Sequence, residues 1–125
     1  MNTKRLSDRE FDVMQILWKS EKPLLASEII KADAELNINT VQATLRKLLT
    51  RDFVRVADIV QSGKVLGRTY APILSADEYI LSECQEILPS SSHRNTFFSA
   101  FLEKSDNKEE ALHELEELIR QYREK

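Results

Sequence analysis

A chain of 125 residues with 31% charged residues, two glycines and three prolines is long enough for one compact domain, or for a small domain with an oligomerisation segment, and too short for two enzyme-sized domains. The scarcity of glycine and proline favours helices over loops, and a single cysteine, Cys84, excludes an internal disulfide. The net charge of −3 hides a division: residues 1–72 carry a net +3 and residues 73–125 a net −6, so a part able to attract phosphate precedes an acidic part.

The first element opens at Leu6-Ser7-Asp8-Arg9-Glu10-Phe11. Ser7 and Glu10 form a capping box, Leu6 and Phe11 a hydrophobic staple, and Asp8 suits the positive end of a helix. A first helix is expected from about Asp8 to Lys19, with apolar residues over well more than half of its circumference, as befits a core helix. Pro23-Leu24-Leu25 is a short extended connection, and a second helix follows from about Ala26 to Glu35 with Ile29 and Ile30 inward.

A third helix occupies the stretch from Leu36 to Arg51, with Asn37 as its N-cap. Val41, Leu45, Leu48 and Leu49 recur at the spacing of one buried stripe. The opposite side carries Asn39, Gln42, Ala43, Arg46, Lys47 and Thr50, with no acid among them. Amides and guanidinium groups form paired hydrogen bonds with base edges, a small residue permits close approach, and cations meet phosphates. The same face would also suit an ordinary surface helix whose cations are only solvated.

Phe53 to Val60 is expected to be a strand, Gln61-Ser-Gly-Lys64 a turn, and Val65 to Ala71 a returning strand ended by Pro72. Two strands after three helices make a winged helix-turn-helix, with Lys64 and Arg68 on the wing where it would meet the sugar-phosphate backbone.

A second capping box, Ser75 with Glu78, opens a fourth helix running to about Leu88. Pro89-Ser-Ser-Ser-His93 breaks it, a short fifth helix surrounds Phe97, Phe98, Phe101 and Leu102, and Asp106 caps a sixth with Glu109 three residues on. The sixth helix carries Leu112, Leu115, Leu118, Ile119 and Tyr122 along one side. Three helices with this much apolar surface in so few residues bury it most simply by dimerising, and folding back on the N-terminal part is the alternative. The fold class is therefore mainly α with a small β-hairpin: a winged helix-turn-helix in residues 1–72 and a C-terminal helical dimerisation segment in residues 73–125, with Phe97, Phe101, Leu112, Leu115, Leu118, Ile119 and Tyr122 as the dimerising set.

Other chemistry has little support. His93 and His113 lack a second ligand at metal-like spacing, Cys84 fits a partly buried small hydrophobe better than a redox switch, and no nucleophile–base arrangement, phosphate loop or dinucleotide fingerprint occurs. Neither an enzyme nor a cofactor is expected. With no apolar signal segment and no long apolar run, the expectation is a soluble, cytoplasmic protein without direct membrane binding.

With both halves laid out, the chain resembles the penicillinase-repressor family, the BlaI/MecI/CopY group of bacterial winged-helix regulators. The specific part is Leu6-Ser-Asp-Arg-Glu10-Phe-Asp-Val13-Met14-Gln-Ile-Leu17-Trp18; Thr40-Val41-Gln-Ala-Thr-Leu45-Arg-Lys47-Leu48, Phe53-Val54, Tyr70, Pro72 and an acidic helical tail follow in family order. The resemblance implies a repressor that binds a palindromic double-stranded DNA operator as a homodimer and blocks RNA polymerase. It implies base or backbone contact at Thr40, base-facing positions at Gln42 and Ala43, and phosphate contact at Lys47; Arg46 is added from helix geometry. Relatives controlling β-lactam genes are cleaved at an Asn-Phe bond that Ala100-Phe101 matches here, which would bring in a membrane sensor-transducer protease as a partner. Copper-responsive relatives carry a cluster of cysteines, whereas Cys84 stands alone, which rules out a thiolate copper site. Asp52 stands where the family usually places glycine, and the wing loop is expected to be several residues longer. The competing class is a winged helix that contacts protein instead of DNA.

Overall fold

In a computed structural model, which describes residues 5–88 and 91–125, the first, third, fourth and sixth helices begin where a short polar side chain meets free backbone N–H groups. Ser7 and Glu10 cap the first helix, α1 (Asp8–Lys19), reciprocally: the Ser7 hydroxyl accepts from the Glu10 N–H and the Glu10 carboxylate from the Ser7 N–H. A two-residue strand, β1 (Leu24–Leu25), leads into α2 (Ala26–Ala32). That helix stops three residues short of the expected Glu35. The Asp33 side chain accepts from the Glu35 N–H and the Asp33 carbonyl from the Leu36 N–H, so a local turn competes with the helix and wins. Asn37 then caps α3 (Ile38–Thr50) by accepting from the Thr40 N–H at 2.9 Å.

The hairpin consists of β2 (Val54–Ser62) and β3 (Val65–Pro72), antiparallel from Val54↔Pro72 to Ser62↔Val65. Its loop is only Gly63 and Lys64, not the expected four residues, because Gln61 and Ser62 pair with Leu66 and Val65; farther along the ladder the register shifts between Val56 and Asp58. Gly63 has φ +65 and Lys64 is not in the positive region, the pattern of a II′ turn. β1 adds an edge strand to β3 through Leu24↔Tyr70 and Leu25↔Thr69, so the hairpin is part of a three-stranded sheet in the order β1-β3-β2. At Gly67 a Cβ would lie 2.8 Å from Leu25 Cδ2. That atom is the tip of a flexible side chain, which would have to turn aside to admit a larger residue.

The chain forms two compact units, Met1–Glu83 and Cys84–Lys125. In the first, Val13, Met14, Leu17, Ile29, Val41, Leu45, Leu48 and Val54 are fully buried, each side chain contributing about 1.5–3 kcal/mol through water exclusion. This unit extends past Pro72 to include the start of α4 (Ala76–Ile87), itself opened by the expected Ser75–Glu78 capping box. Tyr79 is the reason: it is buried beside Phe11, Trp18 and Phe53, with ring centroids 5.7–6.4 Å away, and its hydroxyl oxygen accepts from the Leu6 N–H at 3.0 Å.

The second unit contains α5 (Ser91–Glu103) and α6 (Lys108–Arg123). Asn107, one residue after the expected Asp106, caps α6 by accepting from the Glu110 N–H at 3.0 Å; adjacent Asp and Asn have equal capping chemistry, and the backbone chose between them. The expected break at Pro89 and Ser90 lies outside the described residues. Architecture is thus mainly helical, with a winged helix-turn-helix in α1–β3.

Candidate nucleic-acid interface

The buried stripe of α3 fixes which side chains it shows to solvent. With Val41, Thr44, Leu45 and Leu48 inward, Asn39, Gln42, Arg46, Lys47 and Thr50 are exposed and Thr40 and Ala43 half-buried. Among the described residues, none of Arg46, Lys47, Lys64 and Arg68 has a side-chain hydrogen bond or ion pair within the chain. Their charges are uncommitted.

Two surface depressions flank this face. The first, of about 450 Å³, lies between α3 and the wing and brings Gln42 and Arg46 together with Arg68. The second, of about 420 Å³, holds Ala43, Arg46, Lys47 and Thr50 with Arg51 and Glu10. Arg46 lines both. Asn39, Thr40 and Lys64 line neither: the first two sit at the start of α3 and Lys64 at the hairpin tip.

Glu10, from α1, is an acid that the sequence pattern of α3 could not reveal at this surface. It is buried, and its carboxylate is paired with the Arg51 guanidinium, which also donates to the Arg5 carbonyl at 3.0 Å and lies 4.9 Å from the Phe53 ring centre. Burial raises the Glu10 pKa, but the Ser7 N–H and hydroxyl and the Arg51 charge outweigh it and hold the carboxyl below its ordinary value. The pair is compensated internally. Leu25, Ser27, Ile38 and Tyr70 also line the first depression; the sequence gives no sign of their place there, because tertiary apposition, not spacing, brings them together.

In the second unit, the side chains expected to dimerise lie largely in solvent. Phe97, Phe101, Leu112, Leu118, Ile119 and Tyr122 are 41–66% exposed and Leu115 is half-buried. Ala100 and Phe101, the pair matched to a cleavage position, are both exposed on α5. Among the described residues no group of three or more His, Cys, Asp or Glu side chains is placed to hold a metal, and no helix is long and apolar enough to cross a membrane.

The sequence matches the family described as "Penicillinase repressor" over residues 6–121. No curated protein sequence matches it. Among solved structures, the chain is similar to one from the Giardia lamblia Hop2–Mnd1 complex, with 20% identity, 92% of this chain and 75% of that one covered, and a TM-score of 0.41. It is also similar to Staphylococcus aureus MarR in complex with salicylate and kanamycin, with 17% identity, 94% and 71% covered, and a TM-score of 0.44.

Proposed function

This chain belongs to the penicillinase repressor family, a family of DNA-binding transcriptional regulators and not of enzymes, and we propose that it represses transcription by binding a palindromic operator as a homodimer. The observation that carries this reading is the face of α3: amides interleaved with cations that have no side-chain partner among the described residues, continuous with Arg68 of the wing through a depression with no acid among its described lining residues. Laid in the major groove, α3 presents Gln42, Ala43 and Arg46 to base edges, while Lys47 and the wing residues Lys64 and Arg68 neutralise phosphates. Thr40 and Asn39, at the start of the helix, complete the contact set.

Dimerisation is supported by the apolar side chains that the second unit leaves in water, a surface that a second copy of the chain would cover. Two heads related by a two-fold axis would read half-sites one or more helical turns apart.

Fluorescence anisotropy against the DNA upstream of the protein's own gene and against a scrambled duplex, over a salt series, tests this. The expected result is preference for the upstream duplex, two chains per duplex, and affinity falling steeply with salt as counterions are released. In the same assay Arg46→Ala should weaken specific binding by about 1–3 kcal/mol. Equal loss on every duplex would reassign Arg46 to phosphate, and salt-insensitive binding without preference would favour a protein-contact role.

A further inference from the structure

The residue at the start of α3 is apolar and uncovered. Ile38, the first residue of the helix, is 42% exposed and lies outside the buried core. This position favours proline or an acid, so helix formation gives no reason for isoleucine. Ile38 instead lines the depression shared with Gln42, Arg46 and Arg68, and exposed Val65 of the wing lines it too.

That depression combines an apolar wall with two arginines and no acid. Such a lining, which also includes Gln42, Ser27 and Ser62, suits an occupant that is anionic and also offers an apolar group. Duplex DNA meets both demands in one place: along the major-groove edges the thymine 5-methyl is the apolar group presented, beside hydrogen-bonding atoms and flanked by phosphates. We infer that Ile38 is a specificity-determining residue that packs on a thymine methyl in the half-site. This rests on the DNA-binding reading above and adds a base to it.

The spacing constrains which thymine. Ile38 and Gln42 are four residues apart on one face, about 6 Å along the helix axis, and bases on one strand are separated by about 3.4 Å. The thymine therefore lies within about two base steps of the base that Gln42 reads, adenine being the partner its amide pairs with best.

The experiment starts from duplexes that the full-length protein enriches from a randomised pool. In the enriched duplex each thymine is replaced singly by uracil, which removes the methyl and leaves every hydrogen-bonding atom, and Kd is measured for the native protein, Ile38→Ala and Ile38→Val. The expected result is one thymine per half-site whose replacement raises the native Kd about four-fold, the factor that burial of one methyl-sized group gives. With Ile38→Ala the same replacement should change Kd less than about two-fold, and Ile38→Val should fall between; melting temperatures check that both variants fold. If no replacement raises Kd, or if the rise persists in Ile38→Ala, the inference is overturned while the repressor reading stands. If the native protein enriches no duplex, the repressor reading fails and takes this inference with it.

Discussion

At Asp52 the chain leaves α3 with φ 62, a left-handed conformation that costs an L-residue about 1 kcal/mol or more. The backbone nevertheless closes the helix well, with the Asp52 N–H bonded to the Leu49 carbonyl and the Phe53 N–H to the Leu48 carbonyl. An acid there also faces the negative end of the helix dipole. Asp52→Gly should therefore raise stability by about 0.5–1 kcal/mol, visible as a higher urea midpoint with an unchanged slope. The Glu10–Arg51 pair makes a second prediction. Because the folded-state pKa of Glu10 is lowered from 4.5, the pair contributes fully at pH above that value, and its contribution disappears as pH falls through the lower, folded-state value. Glu10→Gln should lose about 2–4 kcal/mol at neutral pH by leaving the Arg51 charge half-buried and unpaired. Its stability should also vary less with pH through the acid range than that of the native protein.

Among the elements, the wing differs from α3 in what it can recognise. Lys64, at the tip of a two-residue loop, lines neither depression, and the role proposed for it is contact with phosphate alone. Lys64→Ala should weaken binding about equally on all sequences and reduce the slope of log K against log salt by about one. The helices of the head were legible because their starts are written locally: Ser7 with Glu10 and Asn37 ahead of Thr40 are side chains bonding within three residues. The edge strand β1 was not, since two leucines carry no periodicity and become a strand only because Thr69 and Tyr70 stand opposite. For the same reason the exposed cations and amides of α3 could be listed from sequence, whereas Ile38, Leu25 and the Glu10–Arg51 pair became part of the surface only when distant segments met.

On the scale of the whole molecule, charge is divided between the two parts, while exposed apolar side chains occur in both. The mildly basic N-terminal part holds the candidate DNA face, and the acidic C-terminal part holds side chains such as Ile119 and Tyr122, at 52% and 66% exposure. Leu115→Lys with Ile119→Lys should yield monomers by sedimentation and a large loss of operator affinity, because each head alone contacts one half-site; a variant that still sediments as a dimer would place the interface elsewhere. The aromatic packing in the first unit has a practical consequence. Trp18 is the chain's sole tryptophan; its ring clusters with those of Phe11 and Tyr79, and its indole N–H donates to the Leu74 carbonyl at 2.9 Å. The protein thus carries its own optical label for the Met1–Glu83 unit alone. Tryptophan emission will follow melting of that unit, far-ultraviolet ellipticity will record helices in both, and any separation between the two curves measures how independently the halves unfold.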